Sequence, residues 1–387
     1  MTTQALNIVI TGGGTGGHVY PALATLEALQ KRIPVNVLYI GTQRGIEARL
    51  IRQQGIPFQA IWVAGFQRRW TWKNIFFPLK LLISLWQSWK ILKQTRPEVA
   101  VGTGGYVTGP VLWVAARMGI PVVIEEQDVF PGLTTRLLAP HATKICLAFE
   151  GAQKYLKVPP DRIIITGNPV RQQLTTVSPE EARQRWDIPV HVPVVLVFGG
   201  SQGARAINQA VEHCITTWIQ KGIYVIWQTG YRDFERVKPV SIKFPEKIKL
   251  VSYIDDMGSA YQAADVVVCR AGAITLAELA LVEKPAVLIP YPFAAGNHQM
   301  KNARFIEQQG AAITLLQDET LSEKLKTTIP ALLADAPRRQ SMAKAWQKLA
   351  RPNAADVIAD IILQVAGRDE NFKDAEFHKP SKENALK

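Results

Sequence analysis

Cysteine is scarce in this chain of 387 residues, which contains only Cys146, Cys214 and Cys269. The three are widely spaced and form no Cys-x-x-Cys pair, which argues against a disulfide framework and a cysteine-based zinc site. Cys146 and Cys269 lie in apolar runs typical of buried strands, where cysteine behaves as a small hydrophobic residue. The chain also lacks an Asp-x-Asp pair, so the sequence predicts no metal-bridged diphosphate site.

Long apolar runs are lacking as well. No stretch of about 20 residues is both apolar and uncharged, and the sequence therefore predicts no transmembrane helix. Residues 1–4 lack the basic segment of a secretory signal and lead directly into a predicted strand. These observations predict a cytoplasmic protein.

Acidic residues are rare in the N-terminal half. Residues 1–167 carry 18 Lys and Arg against 8 Asp and Glu, whereas residues 168–387 carry 27 against 24. Most of the formal net charge of +13 therefore belongs to the first half. Such an excess predicts an anionic partner for that half: nucleic acid, a membrane surface or a phosphate-rich substrate.

Residues 66–93 contain no acid at all, and six basic residues alternate there with aromatic and aliphatic ones. Five of the ten tryptophans fall between Trp62 and Trp89. Tryptophan flanked by Lys and Arg is typical of segments at the surface of an anionic membrane. The predicted membrane contacts are Ile75, Phe76, Leu79, Lys80 and Trp86.

Two other interpretations of this segment remain open. An amphipathic core helix with a solvated basic face is the commoner cause of such a pattern. Basic and aromatic residues together also describe a platform for single-stranded nucleic acid. No RNP, KH or zinc-finger motif accompanies them, so we expect no nucleic-acid partner.

Short β-branched runs alternate with helical stretches along the whole chain. Near-continuous apolar strands separated by helices predict an α/β fold with doubly wound parallel sheets. The predicted strands are Leu6–Thr11, Val35–Ile40, Pro57–Ile61, Val99–Val101, Val122–Ile124, Lys144–Leu147, Arg162–Ile165, Val194–Phe198, Tyr224–Gln228, Lys249–Val251, Val266–Cys269, Ala286–Ile289 and Ala312–Leu315.

Both halves begin with an apolar strand that runs into a glycine-rich turn and a helix. This repetition predicts two Rossmann-like domains facing a central cleft, with ligands at the carboxyl ends of the strands. The predicted divisions are an N-terminal domain at 1–167, a linker at 168–190, a C-terminal domain at 191–353, a last helix at 354–366 that packs back on the N-terminal domain, and a disordered tail at 367–387.

The glycine-rich turns predict phosphate binding. Gly12–Gly17 fits G-x-G-x-x-G between a strand and a helix, and Gly102–Tyr106 forms a second such turn. The second strand ends Tyr39-Ile40-Gly41-Thr42 without an acid for ribose, which disfavours a dehydrogenase. No Gly-Lys-Ser/Thr ending occurs, which excludes a P-loop NTPase.

In the second half, the turn at Gly199–Ala204 offers backbone amides and the Ser201 hydroxyl to a diphosphate. Further on, Glu278 follows Thr275 by three residues. This spacing fits the acid of a helix capping box, and it equally fits a carboxylate that accepts both hydroxyls of a ribose. The residues alone leave both roles open.

The motifs together resemble the MurG family of bacterial UDP-N-acetylglucosamine:lipid I N-acetylglucosaminyltransferases, over roughly residues 5–365. They occur in the family's order as TGGGTGGHVYP at 11–21, GTGGYVTGP at 102–110, GNPVR at 167–171, GGSQGA at 199–204, YIDDM at 253–257, CRAGAITLAE at 269–278 and HQMKNA at 298–303.

This resemblance implies a GT-B fold and an inverting transfer of N-acetylglucosamine (GlcNAc) from UDP-GlcNAc to the C4 hydroxyl of lipid-linked MurNAc-pentapeptide (lipid I). It implies a peripheral enzyme on the cytoplasmic side of the inner (plasma) membrane, with an anionic membrane surface as partner and a possible place in a cell-wall synthesis complex. We expect no cofactor and no metal site.

The resemblance also implies roles for individual residues. Glu278 holds the ribose, Ile254 lies against uracil, and Ser201 meets the diphosphate. The implied donor-binding residues are Thr15, Gly16, Gly17, Asp128, Arg171, Ser201, Gln202, Ile254, Gly272, Ala273, Ile274, Thr275, Leu276, Ala277, Glu278, His298 and Gln299. The implied acceptor-binding residues are Gly13, Gly14, Gly104, Gly105 and Tyr106.

Inverting transfer needs a base for the acceptor hydroxyl. We expect His18 in this role, because a helix N-terminus disfavours the imidazolium form. Glu125 is the second candidate, since burial can raise its pKa. Many members of the family read His-Glu-Gln-Asn where this chain has Glu125-Glu126-Gln127-Asp128, which puts additional acid near the cleft.

Two alternative functions remain. One is another GT-B transferase that acts on a membrane lipid, such as a galactolipid synthase. The other is a nucleotide-binding or membrane-scaffold protein with an inactive site, to which the altered residues 125–128 give some weight.

Overall fold

The computed structural model describes residues 4–65, 77–170 and 172–368. Each predicted strand is present, with bounds that differ by two residues at most. The strands are β1 (Leu6–Thr11), β2 (Val35–Gly41), β3 (Phe58–Ala60), β4 (Val99–Gly102), β5 (Val122–Glu126), β6 (Lys144–Leu147), β7 (Ile163–Ile165), β8 (Val194–Phe198), β9 (Tyr224–Gln228), β10 (Ile248–Val251), β11 (Val266–Cys269), β12 (Ala286–Leu288) and β13 (Ala312–Thr314).

Helices connect these strands. They are α1 (Gly16–Gln30), α2 (Ile46–Gln53), α3 (Phe77–Thr95), α4 (Thr108–Arg117), α5 (Leu133–Leu138), α6 (Pro179–Arg185), α7 (Arg205–Gln220), α8 (Tyr231–Ile242), α9 (Met257–Ala263), α10 (Ala273–Val282), α11 (His298–Gln308), α12 (Leu321–Ala334), α13 (Ala336–Leu349) and α14 (Ala354–Val365). Short 3₁₀ turns fill several of the remaining connections.

The strands form two parallel sheets. The first has seven strands in the order β3-β2-β1-β4-β5-β6-β7, and the second has six in the order β10-β9-β8-β11-β12-β13. The predicted fold class is thereby confirmed. In each sheet the chain adds strands first on one side of its first strand and then on the other. The strand order therefore switches between β1 and β4 and between β8 and β11. Such switch points open a crevice at the carboxyl ends of the strands, and the glycine-rich turns begin there.

Both faces of each sheet are covered, which explains the continuous apolar runs. Every residue of β8 is buried, with alternate side chains in two separate core clusters. In a parallel sheet the covering helices bury both sets of side chains, so the pattern does not alternate with polar residues.

Helix α14 crosses back to the N-terminal domain. Ile358 and Ile362 pack in the same core cluster as Ile8 of β1. Arg32, just after α1, forms ion pairs with Asp356 and Asp360 of α14. The last helix therefore completes the core of the first domain.

The segment predicted as a linker contains helix α6. Ser178 accepts a hydrogen bond from the Glu181 amide, and the Glu181 carboxylate accepts one from the Ser178 amide, which forms a capping box. This reciprocal cap explains why a short helix begins there. Of the predicted site residues, Ile75, Phe76 and Arg171 lie outside the described residues, as does 369–387 of the predicted tail.

Candidate active site

Two glycine-rich loops of the N-terminal domain meet at the carboxyl ends of β1 and β4. The Gly13 amide donates a hydrogen bond to the Gly104 carbonyl oxygen at 3.2 Å and is not available to an anion. A Cβ added to Gly105 would lie 2.3 Å from the Gly13 carbonyl oxygen, and the φ of Gly105 is +89°. Only glycine fits at position 105. The loops Gly12–Gly17 and Gly102–Tyr106 therefore form one continuous surface, here called the glycine surface.

A buried carboxylate that no motif pointed to holds the first loop in place. Glu47, near the start of α2, is fully buried. Its Oε2 accepts the Gly14 amide at 3.1 Å, and its Oε1 accepts the amide and the hydroxyl of Thr42 at 3.0 and 2.5 Å. The Gly14 amide is thus used inside the protein. The first turn of α1, from Gly16 onward, supplies the amides that can face an anion.

His18 lies in the first turn of α1, with its ring against Gly104. Its Nδ1 is 2.8 Å from the Gly13 carbonyl oxygen. Because a carbonyl oxygen only accepts, Nδ1 carries the hydrogen and the lone pair lies on Nε2. Burial lowers the pKa of His18, and it outweighs the raising effects of the Gly13 carbonyl and of Asp128. The ring is therefore neutral at neutral pH, with Nε2 able to accept a proton.

Glu125 lies beneath helix α1. Its side chain is 2% exposed, and its Oε1 accepts the Thr25 hydroxyl at 3.0 Å. Oε2 has no hydrogen-bond partner among the described residues. Burial raises the pKa of Glu125 to about 7. Thr25 is two turns along α1 from His18. The two candidate bases therefore lie beside different turns of α1 and do not share one position in the cleft.

We expect the burial of Glu125 to make the free energy of unfolding depend on pH. Its folded-state pKa of about 7 is above the unfolded value of 4.5, so the folded state binds the proton more tightly. The free energy of unfolding therefore falls as pH rises through this window and stays lower above it. The difference corresponds to about 3 kcal/mol. We expect Glu125→Gln to flatten this part of the curve, measured by urea unfolding between pH 5 and 8.

Exposed Glu319 provides the matched control. Glu319→Gln should reproduce the wild-type pH dependence, because its carboxylate is solvated in both states. Glu126 should retain its own contribution in every variant, since burial also raises its pKa to about 7. Parallel curves for wild type and Glu125→Gln would contradict the prediction.

On the opposite side of the cleft, the turn after β8 leads into α7. Gly203 has a φ of +72°, and a Cβ there would lie 1.9 Å from the Thr229 carbonyl oxygen. The turn is therefore built on glycine and packs directly on its neighbour. Ser201 and Gln202 are exposed at its tip, just before the N-terminus of α7. A hydroxyl and helix amides converge there, as an anion site requires.

Glu278 lies on α10, the helix after β11. That helix begins at Ala273 with Gly272 as its N-cap, so Thr275 lies inside the helix and the capping-box interpretation is wrong. The hydroxyl of Tyr261, which is fully buried, donates a hydrogen bond to Glu278 Oε2 at 2.9 Å. Tyr261 thereby orients the carboxylate. No motif indicated this contact, because the tyrosine comes from α9.

Helix α11 brings the last predicted donor residues to the cleft. His298 begins the helix, and its Nδ1 donates to the Ala295 carbonyl oxygen at 2.6 Å. Gln299 Oε1 accepts the Tyr291 amide at 2.9 Å. His298 lies close enough to His18 to lower its pKa, so residues from both domains meet at the centre of the cleft.

Two of the predicted donor-binding residues have side chains engaged inside the protein. The Ile254 side chain is 5% exposed and packs in the core of the C-terminal domain. Asp128 Oδ1 accepts a hydrogen bond from Asn302 Nδ2 at 2.7 Å. Tyr106 is partly exposed on the glycine surface.

Comparison with known proteins agrees with this geometry. The N-terminal domain model of glycosyltransferase family 28 matches residues 8–147, and its C-terminal domain model matches residues 194–358. A protein of Salinibacter ruber is 42% identical over 95% of this chain and 99% of its own length. A protein of Acetivibrio thermocellus is 39% identical over 93% and 98%. Both are named UDP-N-acetylglucosamine–N-acetylmuramyl-(pentapeptide) pyrophosphoryl-undecaprenol N-acetylglucosamine transferase.

Solved structures give the same result. The crystal structure of Acinetobacter baumannii MurG superposes with a TM-score of 0.76 at 30% identity, over 93% of this chain and 99% of that one. A UDP-GlcNAc 2-epimerase from Neisseria meningitidis, with a TM-score of 0.64 and 14% identity, shares the fold alone. The chain is a glycosyltransferase of family 28 and belongs, within it, to the MurG family.

Proposed function

We propose that this chain transfers GlcNAc from UDP-GlcNAc to the C4 hydroxyl of lipid I, with inversion at the anomeric carbon. The near full-length relatives named for this reaction support the proposal. The observation that carries it is the position of His18. Its neutral ring presents a lone pair on Nε2 at the acceptor-side glycine surface.

In the proposed reaction the acceptor oxygen attacks the anomeric carbon as the bond from that carbon to the UDP oxygen breaks. His18 Nε2 accepts the hydroxyl proton. The hydrogen bond from Nδ1 to the Gly13 carbonyl oxygen fixes the ring orientation and stabilises the imidazolium that forms. We assign the base to His18 in preference to Glu125, whose buried carboxyl group accepts a hydrogen bond from Thr25 of α1.

The departing UDP gains negative charge on its diphosphate. The N-terminus of α7 and the Ser201 hydroxyl offer donors for this charge, and the helix dipole favours an anion there. In this proposal Glu278, whose carboxylate accepts a hydrogen bond from Tyr261, accepts the ribose hydroxyls. The described residues contain no group of three or more His, Cys, Asp or Glu that could hold a metal ion.

Transfer of radiolabel from UDP-GlcNAc to a lipid I analogue tests this function, with UDP-galactose as the competing donor. We expect labelled product from UDP-GlcNAc alone. Product from UDP-galactose would favour another membrane-lipid transferase. Absence of product with either donor would favour a nucleotide-binding scaffold.

We also infer that one face of α3 docks on the cytoplasmic surface of the membrane. Leu79, Leu82, Trp86 and Trp89 follow helical spacing and are exposed, whereas the opposite face, with Ser84, Ser88, Ile91 and Leu92, is buried. A helix that only solvates a basic face would leave its charged side chains outside and bury its apolar ones, whereas here four large apolar side chains are exposed as well.

Basic side chains surround this apolar face. Lys80 lies over Trp62 at 5.4 Å, and Lys93 lies over Trp89 at 4.8 Å. Tryptophan and lysine placed together suit the boundary between lipid and water on an anionic bilayer. No helix among residues 4–65, 77–170 and 172–368 is long and apolar enough to cross a bilayer.

Leu82→Glu should weaken binding to vesicles of anionic phospholipid by about tenfold or more, because burial of a leucine is worth about 1.5–3 kcal/mol. Leu82 is 65% exposed. Ile242→Glu is the matched control, since Ile242 is 67% exposed but belongs to the C-terminal domain. Co-sedimentation at low and high salt measures both. Equal losses for the two variants would show that this face of α3 is not the docking surface.

A further inference from the structure

Two asparagine side chains join the domains at the base of the cleft. Asn168 Nδ2 donates to the carbonyl oxygens of Gln127, at 3.1 Å, and Ala273, at 3.3 Å. Asn302 Nδ2 donates to the Ala271 carbonyl oxygen at 3.2 Å, in addition to Asp128. Residues 127–129 of the N-terminal domain are thereby connected to residues 271–273. The implied donor-binding run Gly272–Ala277, here called the donor loop, begins there.

Asn302 is the central residue of this connection. It is fully buried, and its Oδ1 accepts the Val129 amide at 2.9 Å. Because the Asp128 carboxylate only accepts, the amide can take one orientation alone: NH₂ towards Asp128 and Ala271, oxygen towards Val129. A charged acceptor also makes the Asp128 bond stronger than a neutral one.

Other contacts of α11 surround this pair. The Lys301 ammonium lies 2.9 Å from the centre of the Phe130 ring. Phe305 meets Phe149 edge to face, with ring centres 5.8 Å apart. Helix α11 therefore contacts the N-terminal domain through Lys301, Asn302 and Phe305. It also carries His298 and Gln299, two of the predicted donor-binding residues.

We propose that Asp128 and Asn302 form an interdomain latch that holds the cleft closed and places the donor sugar over His18. This deepens the proposed function and rests on it. Asn302 is a positioning residue, since it acts through Asp128, Val129 and the donor loop. The nucleotide half of the donor binds within the C-terminal domain, so the latch should govern turnover and domain separation more than nucleotide affinity.

Asn302→Asp tests the latch, because it puts two carboxylates where an amide and a carboxylate now meet. We expect kcat to fall about 100-fold, since an unpaired buried charge is strongly unfavourable. The dissociation constant of UDP, measured by calorimetry, should stay within about threefold of wild type. The radius of gyration from small-angle X-ray scattering should increase as the cleft opens.

The exchanged pair Asp128→Asn/Asn302→Asp restores one amide and one carboxylate. It should recover at least tenfold in kcat and return the radius of gyration towards wild type. Asn36→Asp is the matched control for the chemical change, because Asn36 is exposed on β2, and it should alter neither quantity.

Three results would overturn the latch: wild-type turnover in Asn302→Asp, loss of UDP affinity in proportion to kcat, or no recovery in the exchanged pair. If Asn302→Asp does not fold, failure of the exchanged pair to fold as well would overturn it too. The scattering measurement needs no activity, so it tests the latch even where the transfer assay fails to support the proposed function.

Discussion

Replacement of His18 with alanine should lower kcat by about 10²–10⁴ at saturating donor and acceptor, the usual contribution of a general base. The affinity for UDP should change little, because His18 lies on the acceptor side of the cleft. Wild-type activity should persist below the ordinary histidine pKa of 6.5, since burial lowers the pKa of His18 and the base works only when deprotonated. Steady-state kinetics from pH 5 to 9 measure both effects.

His141 offers the matched control, because it is exposed and precedes β6, at the amino ends of the strands rather than the carboxyl ends that carry the glycine loops. His141→Ala should retain wild-type kcat and pH profile. A loss of less than tenfold in kcat for His18→Ala would remove His18 from the role of base and return attention to Glu125. His18 would also be excluded as the base if the decrease in kcat at acidic pH occurred at the same pH in His18→Ala as in the wild type.

Glu278→Ala should raise the KM for UDP-GlcNAc by about 10²–10⁴. Two hydrogen bonds from ribose to a carboxylate are each worth about 1.5–3 kcal/mol. Because these bonds form equally in the ground state and the transition state, kcat should change much less. The wild type should prefer UDP to its 2′,3′-dideoxy analogue, and this preference should disappear in the variant. Calorimetric titration with both ligands measures it.

Tyr261→Phe provides a graded version of the same experiment. It keeps the ring that packs against Phe198 but removes the hydroxyl that orients Glu278. We expect a KM increase of about 5- to 10-fold, in line with one hydrogen bond. An unchanged preference for the ribose hydroxyls in Glu278→Ala would rule out the assigned contact.

The strands were predictable because buried parallel strands are short, apolar and bounded by Gly or Pro. Val194–Phe198 has the same bounds in the sequence and in the structure. Helix α6 was not predicted, since Pro179 and the polar residues around it are equally typical of a linker. Its capping box stabilises a helix of only seven residues.

The site was predictable where one continuous motif forms it, as at His18 and Ser201. It was not predictable where distant segments meet. Glu47 reaches the glycine loop from α2, and Tyr261 reaches Glu278 from α9. Neither residue belongs to a motif, and only the packing of one element on another brings these groups together.

The return of α14 has a consequence for synthesis at the ribosome. Residues near the end of the chain, among them Ile358 and Ile362, share a core cluster with the first strand. The N-terminal domain therefore cannot complete its core when its own 167 residues have emerged. It must wait for the whole C-terminal domain and α14, so a nascent chain exposes an unfinished apolar face of the N-terminal domain until α14 has been synthesised.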